Sequence, residues 1–127
     1  MVAYNFQKQF ADDVESGKKK QTVRPVGKRR HAKVGDALQL YYGQRTKQCR
    51  KLRDAVCVRM DKIAIQTFGV RLDSDSGALQ ASDMAGEGLV WLENFAKRDG
   101  FESWEAMRDW FEQQHSLPFE GVLIMWE

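Results

Sequence analysis

The sequence predicts one α+β domain built around a small mixed β-barrel with about three helices. Its 127 residues are 43% hydrophobic and 30% charged, a composition typical of a single soluble globular domain. Segments of strand-like composition outnumber segments of helical periodicity, and the two kinds do not alternate as they do in βαβ proteins. No internal repeat and no Gly-, Ser- or Pro-rich linker divides the chain. We therefore expect one domain over residues 1–127.

The first half of the chain predicts one helix followed by strands. Phe6, Phe10 and Val14 are spaced four apart, as on one helix face, and Gly17 suits the left-handed residue that ends a helix. Beyond it, strand-like segments follow at residues 21–24, 37–42, 55–68 (one long strand or a bent pair), 70–72 and 79–81, the last two joined as a hairpin.

The second half predicts two helices and a closing strand. Apolar residues at helical spacing mark one helix that stops at Asp99-Gly100, and Ser103 suits the N-cap of the next. Residues 121–126 are the most apolar segment, so we expect a central strand there. The four tryptophans, at the spacing of these elements, are expected in the core: Trp91, Trp104, Trp110 and Trp126.

Composition also excludes several classes of function. No apolar run approaches the roughly 18 residues of a spanning helix, and the N-terminal residues lack the apolar stretch of a signal peptide, so we expect a cytoplasmic protein with no membrane partner. Two cysteines and two distant histidines make neither a disulfide framework nor a zinc site. We expect no metal and no cofactor.

The net charge of +2 conceals a strong asymmetry. Residues 1–72 carry 17 Lys/Arg and 6 Asp/Glu, whereas residues 73–127 carry 3 and 12. Most of the basic excess lies in residues 18–33 and 45–53, neither of which contains an acid. If the two runs share one face beside a cleft, that face would attract a phosphate-bearing partner; otherwise they form a solvated surface.

The stretch from Gly17 to Arg24 (GKKKQTVR) is the most specific motif in the chain. It resembles the opening motif of the ASCH domain family, which are small barrels related to the PUA RNA-binding fold. Further blocks agree in order along nearly the whole chain: the Phe-rich helix before it, residues 35–38, residues 42–47 (YGQRTK), residues 95–101 and the closing segment from Pro118.

The family members most similar in size are amidohydrolases that remove acyl groups from N4-acylated cytosine nucleosides such as N4-acetylcytidine, using a Thr, a Lys and an acidic residue. By position in the motif, the resemblance implies Lys19 and Thr22, with Asp99 as the acid where those enzymes carry Glu. Because Asp is one methylene shorter, Glu93 and Glu102 are the alternatives. The substrate would be an acylated cytosine nucleoside or nucleotide, held by nearby cations that we expect to be Lys20, Arg24, Arg45 and Lys47.

Such a trio suits amide hydrolysis without a metal. A Thr hydroxyl becomes a nucleophile when a base takes its proton, and a Lys whose pKa is lowered by burial and neighbouring cations can be that base. On a regular strand, however, Lys20, Thr22 and Arg24 would share a face and Lys19 would not. The assignment of Lys19 as the base therefore requires an irregular backbone just after Gly17. Lys20 is the alternative base if the strand is regular there.

A second hypothesis belongs to a different class of function. The chain would be a module that binds single-stranded RNA or processes it as a ribonuclease does, with both basic runs on the strand and Tyr41 or Tyr42 as a stacking plane. RNA binding through many phosphates weakens steeply with salt, whereas turnover of an uncharged nucleoside does not. The sequence leaves the acyl group and the oligomeric state open.

Overall fold

The computed structural model describes residues 2–27, 30–67, 69–72, 79–80 and 86–127. This part of the chain contains three helices and seven strands, and none of the helices is long and apolar enough to cross a membrane. In chain order the elements are β1 (Val2–Phe6), α1 (Lys8–Ser16), β2 (Gln21–Pro25), β3 (Ala37–Tyr42), β4 (Arg50–Gln66), β5 (Gly69–Leu72), β6 (Leu79–Gln80), α2 (Gly86–Arg98), α3 (Trp104–His115) and β7 (Phe119–Trp126).

The long strand β4 organises a mixed sheet. Its first part pairs antiparallel with β3, and the part from Cys57 to Ile65 pairs antiparallel with β7. Its end also pairs with β5, which continues to β6. At the outer positions, β1 runs parallel to β3, and β2 runs antiparallel to β7. The α+β class and the mixed sheet are thus as predicted.

The gap between β1 and β2 is the feature that positions the site. These strands end the path β1-β3-β4-β7-β2, and no ladder between described residues joins them. The described strands therefore do not close into the barrel that the sequence predicted. A side chain crosses the gap instead: Arg24 Nη2 on β2 donates a hydrogen bond to the Asn5 carbonyl on β1 at 2.7 Å.

The first helix ends as predicted but begins later. Gly17 adopts φ 86°, the left-handed conformation, and its amide donates to the Val14 carbonyl. Phe6, however, belongs to β1 and not to the helix, so the prediction was wrong there. Every second residue of β1 is buried, namely Val2, Tyr4 and Phe6, and this alternation is typical of a strand. It was overlooked because Phe6 and Phe10 also have the spacing of a helix face.

The other elements differ from the prediction mainly at their ends. β4 begins at Arg50, inside the second basic run, because alternation buries Leu52 while the charged neighbours face outward. β5 and β6 form the predicted hairpin, whose connecting residues 73–78 and last predicted residue, 81, lie outside the described part of the chain. Ser103 caps α3 as predicted, its hydroxyl accepting from the Ala106 amide at 3.1 Å.

Two apolar clusters fill the inside. One gathers side chains of β1, α1, β3 and the first part of β4, and the other gathers α2, α3, β5 and the end of β4, while β7 contributes to both. Trp104 and Trp126 are buried, as predicted. Trp91 and Trp110 are half-buried at the edge of the core.

Candidate active site

A cavity of about 250 Å³ opens at the gap between β1 and β2. Its residues come from four places: the end of β1, the segment from Lys19 through β2, the turn after α2, and the last two turns of α3. They are Asn5, Phe6, Gln7, Phe10, Lys19, Thr22, Val23, Arg24, Pro25, Asp99, Phe101, Trp110, Phe111, Gln114 and His115. Lys19, Thr22 and Asp99 are thus brought together, although 80 positions separate Lys19 from Asp99.

The deepest polar feature of the cavity is the pair formed by Lys19 and Asp99. Both side chains are buried, with Lys19 3% and Asp99 4% exposed. Lys19 Nζ lies 3.5 Å from Asp99 Oδ1 and also donates a short hydrogen bond to the Asp99 carbonyl. Gln21, itself buried, donates from Nε2 to the same carboxylate oxygen at 3.2 Å. The carboxylate is therefore held on two sides.

Burial shifts the pKa of both members of this pair toward the neutral form. The pKa of Lys19 falls below its usual 10.5, chiefly because burial disfavours the ammonium; Asp99 opposes the shift and Arg24 adds to it. The pKa of the Asp99 carboxyl rises above its usual value, again chiefly through burial, with the Lys19 charge opposing. Shifts in these directions are typical of groups that act as general base and acid.

The local chain explains why Lys19 and not Lys20 faces the cavity. After the left-handed Gly17, the Lys19 amide donates to the Asp13 carbonyl at 2.9 Å, and regular β2 pairing starts only at Gln21. Lys19 therefore precedes the strand, and strand alternation does not govern it. Lys20 is exposed and lines a different cavity, with Val58 and Glu127 among its neighbours.

The turn that carries Asp99 depends on a glycine. Gly100 has φ 98°, which L side chains rarely adopt, and a Cβ there would approach Phe10 Cδ1 to 2.9 Å and Lys19 Cδ to 3.2 Å. Phe10 also lies beneath the ammonium, whose nitrogen is 5.0 Å from the ring centroid. The close approach of this turn to α1 thus fixes both ends of the ion pair.

Thr22 is buried on β2 and is tied to Arg24 two residues on. Arg24 Nε donates to Thr22 Oγ1 at 3.1 Å, which leaves the hydroxyl hydrogen available to another acceptor. The Arg24 guanidinium lies over Phe6, 4.8 Å from its centroid, and over Tyr4 at 5.2 Å. The two aromatic rings and the Asn5 carbonyl hold the arginine beside the threonine.

Aromatic side chains form the opposite wall, and sequence reasoning missed it. Trp110 contacts Phe10, Phe101 and Phe111 edge-on or tilted, with centroids 4.9 to 6.1 Å apart, yet it is half-buried and lines the cavity. We expected it in the core, because the spacing of a helix face does not distinguish a core position from a cavity wall. Gln114 and His115 follow it to the mouth, and no motif singled them out.

The remaining predicted residues lie elsewhere. Arg45 and Lys47 are exposed in the turn after β3, outside the cavity lining. Of the alternative acids, Glu93 accepts from the Trp104 amide at 3.1 Å, at the start of α3, and Glu102 is exposed. Tyr42 packs against the core, and the Tyr41 hydroxyl donates to Gln39.

The two basic runs are divided among several environments. Lys18 and Lys20 line a cavity that shares no residue with the main one, and Arg24 enters the main one. Within the described residues several members pair with acids: Arg30 with Asp36, Arg50 with Glu15, and Lys51 with Asp54. The runs therefore do not act as one uniform charge.

No group of three or more His, Cys, Asp and Glu side chains that could hold a metal ion occurs in the described part of the chain. Comparisons with protein-family models, with curated proteins and with solved structures found no match.

Proposed function

We propose that the chain is an amidohydrolase that removes the acyl group from N4-acylated cytosine nucleosides, with Thr22 as nucleophile, Lys19 as base and Asp99 as its acidic partner. The resemblance of residues 17–24 to ASCH proteins, with their PUA-like barrel, supplies the substrate class. One structural observation carries the proposal: a buried Lys–Asp pair opens into the same cavity as a threonine held by an arginine.

The cavity favours a planar substrate that enters with its acyl group first. The buried polar groups Lys19, Thr22 and Asp99 lie deep, whereas Asn5, Gln114 and His115 are exposed at the mouth. Between them the walls are largely aromatic, and aromatic faces stack on a nucleobase. The amide would thus meet the threonine while the sugar stays at the mouth.

In the first half of the reaction, Thr22 Oγ1 attacks the acyl carbon and its proton passes to neutral Lys19 Nζ. The carbonyl oxygen becomes an oxyanion that the Arg24 guanidinium, already bonded to Thr22 Oγ1, can stabilise. The C–N bond then breaks as the Lys19 ammonium returns the proton to the departing N4 nitrogen. Cytidine leaves, and the acyl group remains on Thr22 as an ester.

In the second half, water attacks the ester carbon and gives its proton to Lys19, which passes it to Thr22 Oγ1 as the ester bond breaks. A carboxylic acid is released and the enzyme regains its starting protonation. Asp99 keeps Lys19 in place in both halves and offsets the charge that the lysine acquires. The route uses side chains of this cavity alone.

The test follows N4-acetylcytidine by its ultraviolet spectrum, with chelator present, for the parent and for Thr22→Val, Thr22→Ala and Thr22→Ser. Valine keeps the branched shape of Thr22 but has no hydroxyl, so activity should fall roughly a thousandfold or more, while serine retains part of it. The matched control is Thr67→Val, which changes an exposed threonine just after β4 and should retain full activity.

Two results would contradict the proposal. Equal rates for Thr22→Val and the parent would exclude the covalent route, and steeply salt-dependent RNA binding without hydrolysis would favour the RNA-binding alternative.

A further inference from the structure

The turn over residues 43–48 stands at the rim of the candidate active site. β1 and β3 run parallel, with Phe6 opposite Tyr42, so both strands end at the same edge of the sheet. The end of β1 and the next residue, Gln7, line the cavity, and the chain after β3 continues into this turn. A direct bond joins the two: the Gln44 amide donates to Asn5 Oδ1 at 2.9 Å, and Asn5 lines the cavity mouth.

Hydrogen bonds fix the shape of the turn. Thr46 Oγ1 donates to the Gly43 carbonyl at 2.6 Å and accepts from the Gln48 amide at 3.1 Å. The Thr46 amide bonds the same Gly43 carbonyl, and the Cys49 amide bonds the Thr46 carbonyl. The turn is thus held by its own backbone and by β1, and the side chains that it carries have defined starting positions.

Arg45 occupies a backbone conformation that is unusual for its type. Its φ is 66°, in the left-handed region, which is unfavourable for a residue with a long side chain and which asparagine or glycine would adopt more readily. Such outliers persist where the surrounding structure imposes them, and they occur preferentially at functional sites. Arg45 thus stands on a hydrogen-bonded turn that contacts Asn5 at the cavity mouth.

The turn carries two cations, Arg45 and Lys47, that are both exposed. Among the described residues neither has an ion-pair partner. Two acids of α1 and β4 pair with other cations, Glu15 with Arg50 at 3.0 Å and Asp54 with Lys51 at 2.7 Å. A guanidinium and an ammonium on one rigid turn suit the oxygens of a phosphate group.

We propose that the turn over residues 43–48 binds, through Arg45 and Lys47, a phosphate attached to the sugar of the substrate. The inference rests on the proposed function for the placement of the base, since a sugar at the mouth would lie beside Asn5, which the Gln44 amide of this turn contacts. The ligand is therefore a nucleotide or a nucleotide unit of an RNA strand, in preference to a free nucleoside. The shared chemistry is a phosphate beside a cytosine nucleoside.

The experiment measures binding, so that it does not depend on hydrolysis. Cytidine, cytidine 5′-monophosphate, inorganic phosphate and a five-nucleotide RNA with a central cytidine are titrated into the full chain by calorimetry at low salt. The parent should bind the monophosphate about tenfold more tightly than cytidine, as two charge-assisted contacts allow. This preference should shrink as salt is added.

Variants show which residues cause the preference for the monophosphate. Arg45→Ala/Lys47→Ala should abolish the preference for the monophosphate while leaving the affinity for cytidine unchanged. Lys62→Ala/Arg71→Ala removes two exposed charges from β4 and β5, away from the cavity, and should leave the preference intact. Arg45→Gly accepts the positive φ, so it should fold at least as stably as the parent and still lose part of the preference.

The outcomes separate this inference from the proposed function. If N4-acetylcytidine is hydrolysed but the parent binds cytidine and its monophosphate equally, or if both double variants lose the preference alike, the phosphate subsite is refuted alone. If no acyl substrate is hydrolysed but the preference exists and depends on Arg45 and Lys47, the subsite stands and the amidohydrolase fails. Tighter binding of the RNA than of the monophosphate, lost in the same variant, would identify a strand as the source of the phosphate.

Discussion

Among the described residues, two aspartates are buried beside a basic residue, and their surroundings differ. Asp61 on β4 pairs with Arg59, two residues away on the same strand face, and the arginine side chain remains 39% exposed. Asp99 pairs with Lys19, 80 positions away in the sequence, and both side chains are almost entirely buried. A buried carboxylate can thus be neutralised at low cost by a neighbour that keeps contact with water. The pair at Asp99 bears the full desolvation cost and opens into a cavity.

The largest effect should come from replacing the basic residue of each pair with an uncharged one. Lys19→Met leaves Asp99 buried without a counter-ion, which should cost about 3–5 kcal/mol of stability, and it removes the base, so hydrolysis should fall by about 10²–10⁴-fold. Arg59→Met should also cost stability, but less, and should leave kcat/KM of the folded protein unchanged. Thermal unfolding and the N4-acetylcytidine assay, run on the same samples, separate the two losses. A loss of activity as large in Arg59→Met would mean that the pocket pair has no special role.

Replacing both members of the pocket pair separates folding from chemistry further. In Lys19→Met/Asp99→Leu no charge is left unpaired, so much of the stability lost in Lys19→Met should return, because apolar replacements of a buried pair are often neutral or better. Activity should not return. Recovery of both would show that the pair serves packing alone.

The next effect concerns the acids. Asp99→Asn keeps the shape and removes the charge, and we expect a decrease in kcat/KM of about 10²-fold, at the lower end of the range for general acid–base groups. Asp61→Asn is the matched change in the other pair and should leave kcat/KM within about twofold of the parent. Asp99→Glu introduces the acid that the resemblance would imply at this position and should remain active. If Asp99→Glu were inactive and Asp99→Asn active, the acid would be Glu102 and not Asp99.

The same comparison shows what could be predicted from the sequence. The pairing of Arg59 with Asp61 follows from strand periodicity, since residues two apart share a face. Lys19, Thr22 and Asp99 were expected from the resemblance to ASCH enzymes, and only the first two lie within one motif. Their sequence spacing does not predict that the three side chains lie close together, because this depends on how the turn between α2 and α3 packs against α1.

The errors have physical causes of the same kind. β1 was missed because Phe6, Phe10 and Val14 satisfy a helical spacing, although the buried alternation from Val2 to Phe6 is a strand pattern. The small barrel was predicted from the strand count and the ordered motif blocks; the mixed sheet is present, but closure, which requires that the two end strands pair, is not shown by the described strands. The cavity opens at the gap between these end strands, β1 and β2, so the site lies at the part of the predicted fold that the described strands do not show.

A smaller effect should appear in the pH dependence. If neutral Lys19 is the base, kcat/KM rises with pH up to the lowered pKa of Lys19, by about tenfold per pH unit on the acid side. In Asp99→Asn the charge that raises the Lys19 pKa is gone and burial remains, so the acid side of the profile should move to lower pH. Folding stability depends on pH as well, because between its lowered pKa and 10.5 Lys19 binds fewer protons in the native than in the unfolded state. Its contribution to stability therefore rises with pH in this range. Lys19→Met should lose this rise of stability with pH. If the acid side of the kcat/KM profile were unchanged in Asp99→Asn, that would contradict the electrostatic coupling of Lys19 to Asp99.

The smallest effect is expected at Lys20, the neighbour that strand geometry alone would have chosen as the base. Its side chain is exposed and lines a cavity that does not include Lys19, Thr22 or Asp99. Lys20→Ala should therefore change stability by no more than about 0.5 kcal/mol and kcat/KM by no more than about twofold. Its backbone carbonyl, which accepts from the Trp126 amide at 3.0 Å, is untouched by the substitution. Measured beside Lys19→Ala, this variant compares two adjacent lysines that differ in burial. If Lys20→Ala were the inactive one and Lys19→Ala the active one, the buried pair would be a structural feature and the base would lie on the other face of β2.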